Sequence, residues 1–386
     1  MKYDFDRITD RSGTNSLKWN VAENELPMWV ADMDFTTAPE IYETLQKRLE
    51  HGIFGYSVLP EEWYQAYIDW WQKRHNVTFS RQHMLFSPGV MPTISTCIRE
   101  LTTKGDNIVL ISPVYNCFYD VVRSNERTVL ECPLIHKDAS YSIDFELLEK
   151  QFKHKSTTMI LLSNPHNPTG NIWDRDTLAG IGKLARENSV IVISDEIHCD
   201  VTDPNVSYVS YLSAEEDNSN GTIVCVSPTK AFNLAGLQTS AVVIPDSKLR
   251  RRVRDGFHAQ RIDANILAVQ AAVSAFQKGG QWLDELMQYL YENKQLVKSV
   301  IETEINELRL TPSQATYLLW IDGTKLKLDE GMTLSQSIRS RTGLYLSDGT
   351  QFGTGGEGYL RMNIACPRSV VREGLDRLRD AVRSMN

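Results

Sequence analysis

The sequence predicts an α/β fold: a large domain on a mainly parallel sheet, and a smaller α+β domain beside it. Three observations lead there. Short runs of β-branched and aliphatic residues recur through the middle of the chain. Amphipathic helical stretches separate them, the arrangement of a parallel sheet covered on both faces. Towards both ends the pattern changes to longer helices and more scattered strands.

Taken in chain order, Phe86 to Thr93 ends a strand and opens a helix in which Ile94, Ile98 and Leu101 share a face. Asn107 to Ile111 and Thr158 to Leu162 read as strands. Asp174 is a natural N-cap for a helix burying Leu178, Ile181, Leu184 and Ala185, and Asn188 ends it. Val190 to Ile193, Thr222 to Val226 and Ser240 to Ile244 follow as strands. A long helix is expected from Trp282 to Leu308. Strands at Tyr317 to Ile321, Gly343 to Leu346 and Tyr359 to Ile364 come next. Arg368 to Met385 closes the chain as a helix with Val371, Leu375, Leu378 and Val382 in register. Lys278, Gly279 and Gly280 mark a linker. The expected domains are therefore 47–278, and 1–46 with 279–386.

Composition narrows the function. The chain has 386 residues, 41% apolar and 23% charged, enough for a large core. The net charge of −8, with mixed signs, argues against a nucleic-acid partner, and Lys248 to Arg254 reads as a solvated helix face. None of the six cysteines forms a CxxC pair, as in a reduced, cytoplasmic protein with no metal site. The polar N-terminus is no signal peptide, and no apolar run nears the ~18 residues of a membrane helix.

Ligands gather at the carboxyl ends of strands in open α/β sheets. Three predicted strands end in polar groups: Asn164 to Gly170, Asp195 to His198, and Ser227 to Lys230. Each group alone has a plain reading as a turn, a cap, a core histidine or a surface lysine. Together they bring amide, carboxylate, imidazole and amine to one region. The turn around Gly89, Val90 and Met91 adds a helix start that favours an anion.

These stretches, with PMWVADMDF (27–35), FGYS (54–57), SPVYNCF (112–118), SNPHNPTG (163–170), SDEIHCD (194–200), SPTKAFNLAG (227–236) and YLRMNIACPR (359–368), resemble a known family almost end to end. It is the fold-type-I pyridoxal-phosphate enzymes of the class I/II aminotransferase superfamily, in the branch of bacterial cystathionine β-lyases and cysteine C–S lyases. The resemblance implies the cofactor pyridoxal 5′-phosphate and a transferase-like large domain. It makes Lys230 the lysine that binds the cofactor aldehyde and serves as the catalytic base. Asp195 would pair with the pyridine nitrogen, Asn167 with the ring's phenolic oxygen, and Asn164 lies beside it. Tyr115 would stack on the ring. Gly89, Val90 and Met91, with the Ser227 hydroxyl, would meet the phosphate. Tyr56 would reach the phosphate of the neighbouring subunit of a homodimer. Arg361 would bind the substrate α-carboxylate, with Ala31 covering it.

Two positions depart from ordinary aminotransferases and match the lyase branch. His198 stands where a tyrosine is usual, and Gln238 where an arginine is usual near the phosphate. The expected reaction is β-elimination from cystathionine or a cysteine-type amino acid, giving pyruvate, ammonia and a thiol. A thiol with a pKa of about 8.5 needs little acid help to leave, and Tyr56 or Tyr115 could supply it. The alternatives are an aminotransferase, and a regulatory interaction protein that keeps the fold.

Overall fold

A computed structural model describes residues 2–137, 140–328 and 330–385. Seven strands form the main sheet: β1 (Met84–Ser87), β2 (Asn107–Leu110), β3 (Thr128–Glu131), β4 (Thr157–Ser163), β5 (Ile191–Asp195), β6 (Thr222–Val226) and β7 (Ser240–Val243). Their spatial order is β1-β7-β6-β5-β4-β2-β3.

Alternate residues of these runs enter different cores, which is why they read as continuously apolar. Val109, Ile160, Leu162 and Val192 pack under helices Phe145–Phe152 and Arg175–Glu187. Ile108, Leu110, Leu161 and Ile193 pack under helices Val90–Leu101 and Ser247–Ala259. Asp174 caps its helix as its position suggests, accepting from the Thr177 amide at 2.7 Å.

The sheet is mainly parallel, as expected, with one strand reversed. β7 runs antiparallel to both β1 and β6. The connection 227–239 contains only the 3-10 turn Ala235–Leu237 and no helix of the kind that carries a parallel crossover. It joins neighbouring antiparallel strands and leaves its polar residues at their ends.

The glycine pair read as a linker is instead a tight junction between helices Ile266–Lys278 and Gly280–Glu304. A Cβ on Gly279 would lie 2.5 Å from Phe232 Cε1 and 2.7 Å from the Ala275 carbonyl. Gly279→Ala is expected to cost about 1–3 kcal/mol by overpacking, seen as a lower denaturant midpoint. Helix Pro39–Glu50 packs on helix Ile266–Lys278, with Ser274 Oγ donating to the Glu40 carbonyl at 2.9 Å.

The C-terminal part holds a four-stranded antiparallel sheet of Arg309–Leu310, Leu318–Asp322, Tyr359–Asn363 and Ser347–Asp348. Helices Leu334–Thr342 and Arg368–Met385 bury its apolar side chains. The strand expected at 343–346 is shorter, Leu344–Tyr345, and pairs in parallel with Leu26–Pro27. That pairing delivers the following residues, 28–35, to the junction of the two sheets. Among the described residues no helix is long and apolar enough to cross a membrane.

Candidate active site

Strand register explains the convergence. Ser163 is level with Asp195, and Asp195 with Cys225. The segments after β4, β5 and β6 therefore open side by side. β1 ends at the same edge, and Gly89 starts the helix Val90–Leu101. Between them lies a cavity of about 300 Å³ lined by Ala31, Gly89, Val90, Met91, Tyr115, Asn167, Asp195, His198 and Lys230. All nine were singled out from the sequence.

Lys230 Nζ donates to the Ala31 carbonyl at 2.6 Å. Burial lowers its pKa to about 8, and the Arg361 charge pushes the same way against Asp32 and Asp195. In protein free of small molecules, Lys230 is thus about half neutral at pH 8, against roughly 0.3% for an ordinary lysine. Acylation by an amine-specific reagent, located by peptide mass spectrometry, should rise at Lys230 with a midpoint near pH 8. A midpoint shared with the surface lysines would contradict this environment.

Asp195 is buried, and desolvation raises its carboxyl to about pH 7. The Ile197 amide, at 3.2 Å, and Lys230 only partly offset that cost. Such a carboxyl is primed for a cationic partner. His198 is held neutral, its pKa lowered to about 3 chiefly by desolvation, and its Nδ1 has no protein partner. Tyr115 precedes the helix Asn116–Ser124, and burial raises its phenol, so it stays protonated.

Arg361 is buried, with a pKa lowered by burial to about 10. Nη1 donates to Asn167 Oδ1 at 3.1 Å, and Nη2 to the Trp29 carbonyl at 3.0 Å and to Ser347 Oγ at 3.3 Å. Its Nε is buried without a partner. A buried guanidinium with an unpartnered N–H is suited to a charge-assisted bond from a carboxylate.

Four singled-out residues lie outside the cavity wall: Arg361, which meets it through Asn167, and three others. The Asn164 amide points away, donating to the Val209 carbonyl at 2.9 Å and to Tyr208 Oη at 3.3 Å. Ser227 Oγ donates to the Thr239 carbonyl at 2.6 Å, shaping its own loop. Tyr56 is fully exposed among exposed Ile53, Phe54 and Val58. Residues that the sequence reading did not select also belong here. Thr229 lines the cavity, and Tyr317 Oη donates to the Ala31 carbonyl at 3.1 Å. Both adjoin recognised residues, but nothing in their spacing marks them. Gln238 lines the wall and brings no charge.

Among the described residues, one set of potential metal ligands, His75, Cys199 and Asp200, lies within 4.8 Å. Asp200 already pairs with His75 Nε2 at 2.8 Å and Trp70 Nε1 at 2.9 Å. These bonds satisfy a buried carboxylate without an ion.

The profile of the family "Aminotransferase class I and II" matches residues 22–378. Over 98% of this chain and 99% of the relative, the sequence is 37% identical to cystathionine beta-lyase PatB of Bacillus subtilis. It is 30% identical to protein MalY of Escherichia coli, over 99% of this chain and 100% of that one. Among solved structures, cystalysin from Treponema denticola, which contains pyridoxal 5′-phosphate, superposes with a TM-score of 0.96 at 32% identity, covering 100% of both chains. The PLP-bound C–S lyase from Staphylococcus hominis gives a TM-score of 0.94 at 32% identity, over 99% of this chain and 98% of that one.

Proposed function

Because this chain belongs to the class I and II aminotransferase family, we propose that it is a pyridoxal-phosphate-dependent carbon–sulfur lyase. It cleaves the Cβ–S bond of cystathionine or a cysteine-type amino acid and releases a thiol, pyruvate and ammonia. The observation that carries this reading is one cavity joining a lysine of lowered pKa, a carboxyl of raised pKa and, through Asn167, an arginine whose Nε lacks a partner.

The residues fit the cofactor. Asp195, buried short of a full counter-charge, suits a protonated ring nitrogen. The first-turn amides of the helix Val90–Leu101 lack intrahelical acceptors and suit a phosphate, with Thr229 beside them. Asn167 would serve the phenolic oxygen, and Tyr115 and His198 would flank the ring. Ser227 supports that wall through its loop. When bound, pyridoxal phosphate supplies an aldehyde that an amine can hold and a cationic ring that withdraws electrons from the substrate Cα.

The chain's own groups do the rest. Arg361 takes the α-carboxylate and fixes the amino acid's orientation. Lys230, neutral in a useful fraction near pH 8, removes the Cα proton. His198 cannot compete, because a pKa near 3 makes it a weak base. The electron pair left by the proton expels the thiolate from Cβ, and one water converts the aminoacrylate to pyruvate and ammonia. Tyr115 stays protonated and can donate to the departing sulfur.

The active protein is a homodimer in this reading, and Tyr56 reaches the partner's phosphate site. Support comes from the exposed apolar run around Tyr56, the kind of patch a partner covers. Six free cysteines, five of them buried, fit a cytoplasmic setting.

The test uses holoprotein and cystathionine with no keto acid. Pyruvate and thiol are expected in equal amounts. Absence of pyruvate, with amino transfer only when a keto acid is added, would make the protein an aminotransferase instead.

A further inference from the structure

Residues 28–35 cross the site as a strap without regular structure. Such a segment has no ladder of its own, so its backbone groups need other partners. Some come from Tyr345, Ser347, Ala365 and Arg11, and others from the two segments that carry the charged site residues. Asn363 stands two residues after Arg361 on strand Tyr359–Asn363, hence on the same side of it. Its Nδ2 donates to the Val30 carbonyl at 2.5 Å and the Asp32 carbonyl at 2.6 Å. Asn233 stands three residues after Lys230. Its Nδ2 donates to the Met33 carbonyl at 3.0 Å and the Phe35 carbonyl at 2.8 Å, and its Oδ1 accepts from the Met33 amide at 3.1 Å.

Beside and within the Asn363 grip the strap touches both charges. The Trp29 carbonyl accepts from Arg361, and the Ala31 carbonyl accepts from Lys230 and Tyr317. Each charged residue therefore shares its element with an asparagine gripping the same strap. Asn233 holds a left-handed backbone, φ 55°, which asparagine tolerates better than most residues. Asn363 is fully buried.

We propose that Asn233 and Asn363 are positioning residues that pin the strap, and that the pinned strap couples carboxylate binding at Arg361 to placement of the Lys230 amine. The coupling is geometric. The Trp29 carbonyl helps fix how the guanidinium is turned, and the Ala31 carbonyl fixes where the amine rests. A strap loose at either end misplaces both. This rests on the roles given above to Lys230 and Arg361, but not on which reaction follows.

The test uses holoenzyme and the variants Asn233→Asp and Asn363→Asp. These keep size and acceptor oxygen, including the bond from the Ala365 amide to residue 363 at 2.7 Å, but lose the donors. The probe is L-alanine, which has no leaving group at Cβ, with its Kd read from the cofactor absorbance. Each variant should weaken alanine at least about tenfold, because two donors are lost and a carboxylate oxygen is set against two carbonyls. Amide exchange should accelerate in residues 28–35 and not in the main sheet, while cofactor content holds. With cystathionine, KM should rise more than kcat falls. The double variant should be little worse than the weaker single one, because both pins hold one unit. Faster strap exchange with an unchanged alanine Kd would overturn the proposal, and so would weaker alanine binding with unchanged strap exchange. If an asparagine variant fails to fold, Tyr317→Phe removes one donor from Ala31 and should act in the same direction, about threefold. No change there would count against the coupling. Alanine binding is independent of elimination, so this result and the cystathionine result can fail separately.

Discussion

Replacing Lys230 with alanine is expected to cut pyruvate release about 10³–10⁴-fold or more and to abolish the visible absorbance of lysine-bound cofactor. No neighbouring group can take over. His198 is too weak a base, and Asp195 is a buried carboxyl with a pKa near 7, placed to meet a ring nitrogen. The fold should survive. In the chain without cofactor, Lys230 has a pKa of about 8, below the 10.5 of a free lysine. The unfolded chain therefore binds more protons between those values, and burial of this amine costs stability most fully below pH 8. Alanine removes that cost, and the Ala31 carbonyl keeps its bond from Tyr317. The variant without cofactor should melt no lower than its parent at pH 7. Substantial turnover by Lys230→Ala would mean that another base removes the α-proton.

Arg361→Ala is expected to lower kcat/KM for amino acids about 10²–10³-fold while leaving cofactor content nearly unchanged. Losing one partner of a buried, charge-assisted pair has costs of that order. Arg361 meets the cavity through Asn167 and the strap, so cofactor retention should depend on it little. Arg361→Lys should recover only part of the loss, because a point charge lacks the two-pronged edge. If the alanine variant used amino acids like its parent, the carboxylate would bind elsewhere.

Much of this architecture was legible in the residues themselves. Thr222–Val226 and Arg368–Met385 have the predicted bounds, because an unbroken β-branched run and a strict helical period leave little choice. Lys230, Asp195 and Asn167 were placed together by a topological rule: strand ends meet, and register brings them level. What was not legible depends on partners distant in sequence. The direction of β7 goes with a connection that forms no crossover helix, which the run of residues 227–239 did not reveal. Gly279 looked like a linker because its close neighbour, Phe232, is remote along the chain. Asn164 and Thr229 exchange expected prominence because side-chain direction at a loop has no periodicity to read. The strap's two asparagines were invisible for the same reason, since each matters only where residues 28–35 arrive.

The most direct measurement is chemical. Holoprotein is reduced with borohydride, digested, and searched by mass spectrometry for the lysine carrying the phosphopyridoxyl group. The account places that group on Lys230, in full occupancy, and on no other lysine. Finding it on a different lysine, or recovering a cofactor-saturated sample with Lys230 unmodified, would contradict the account at its centre.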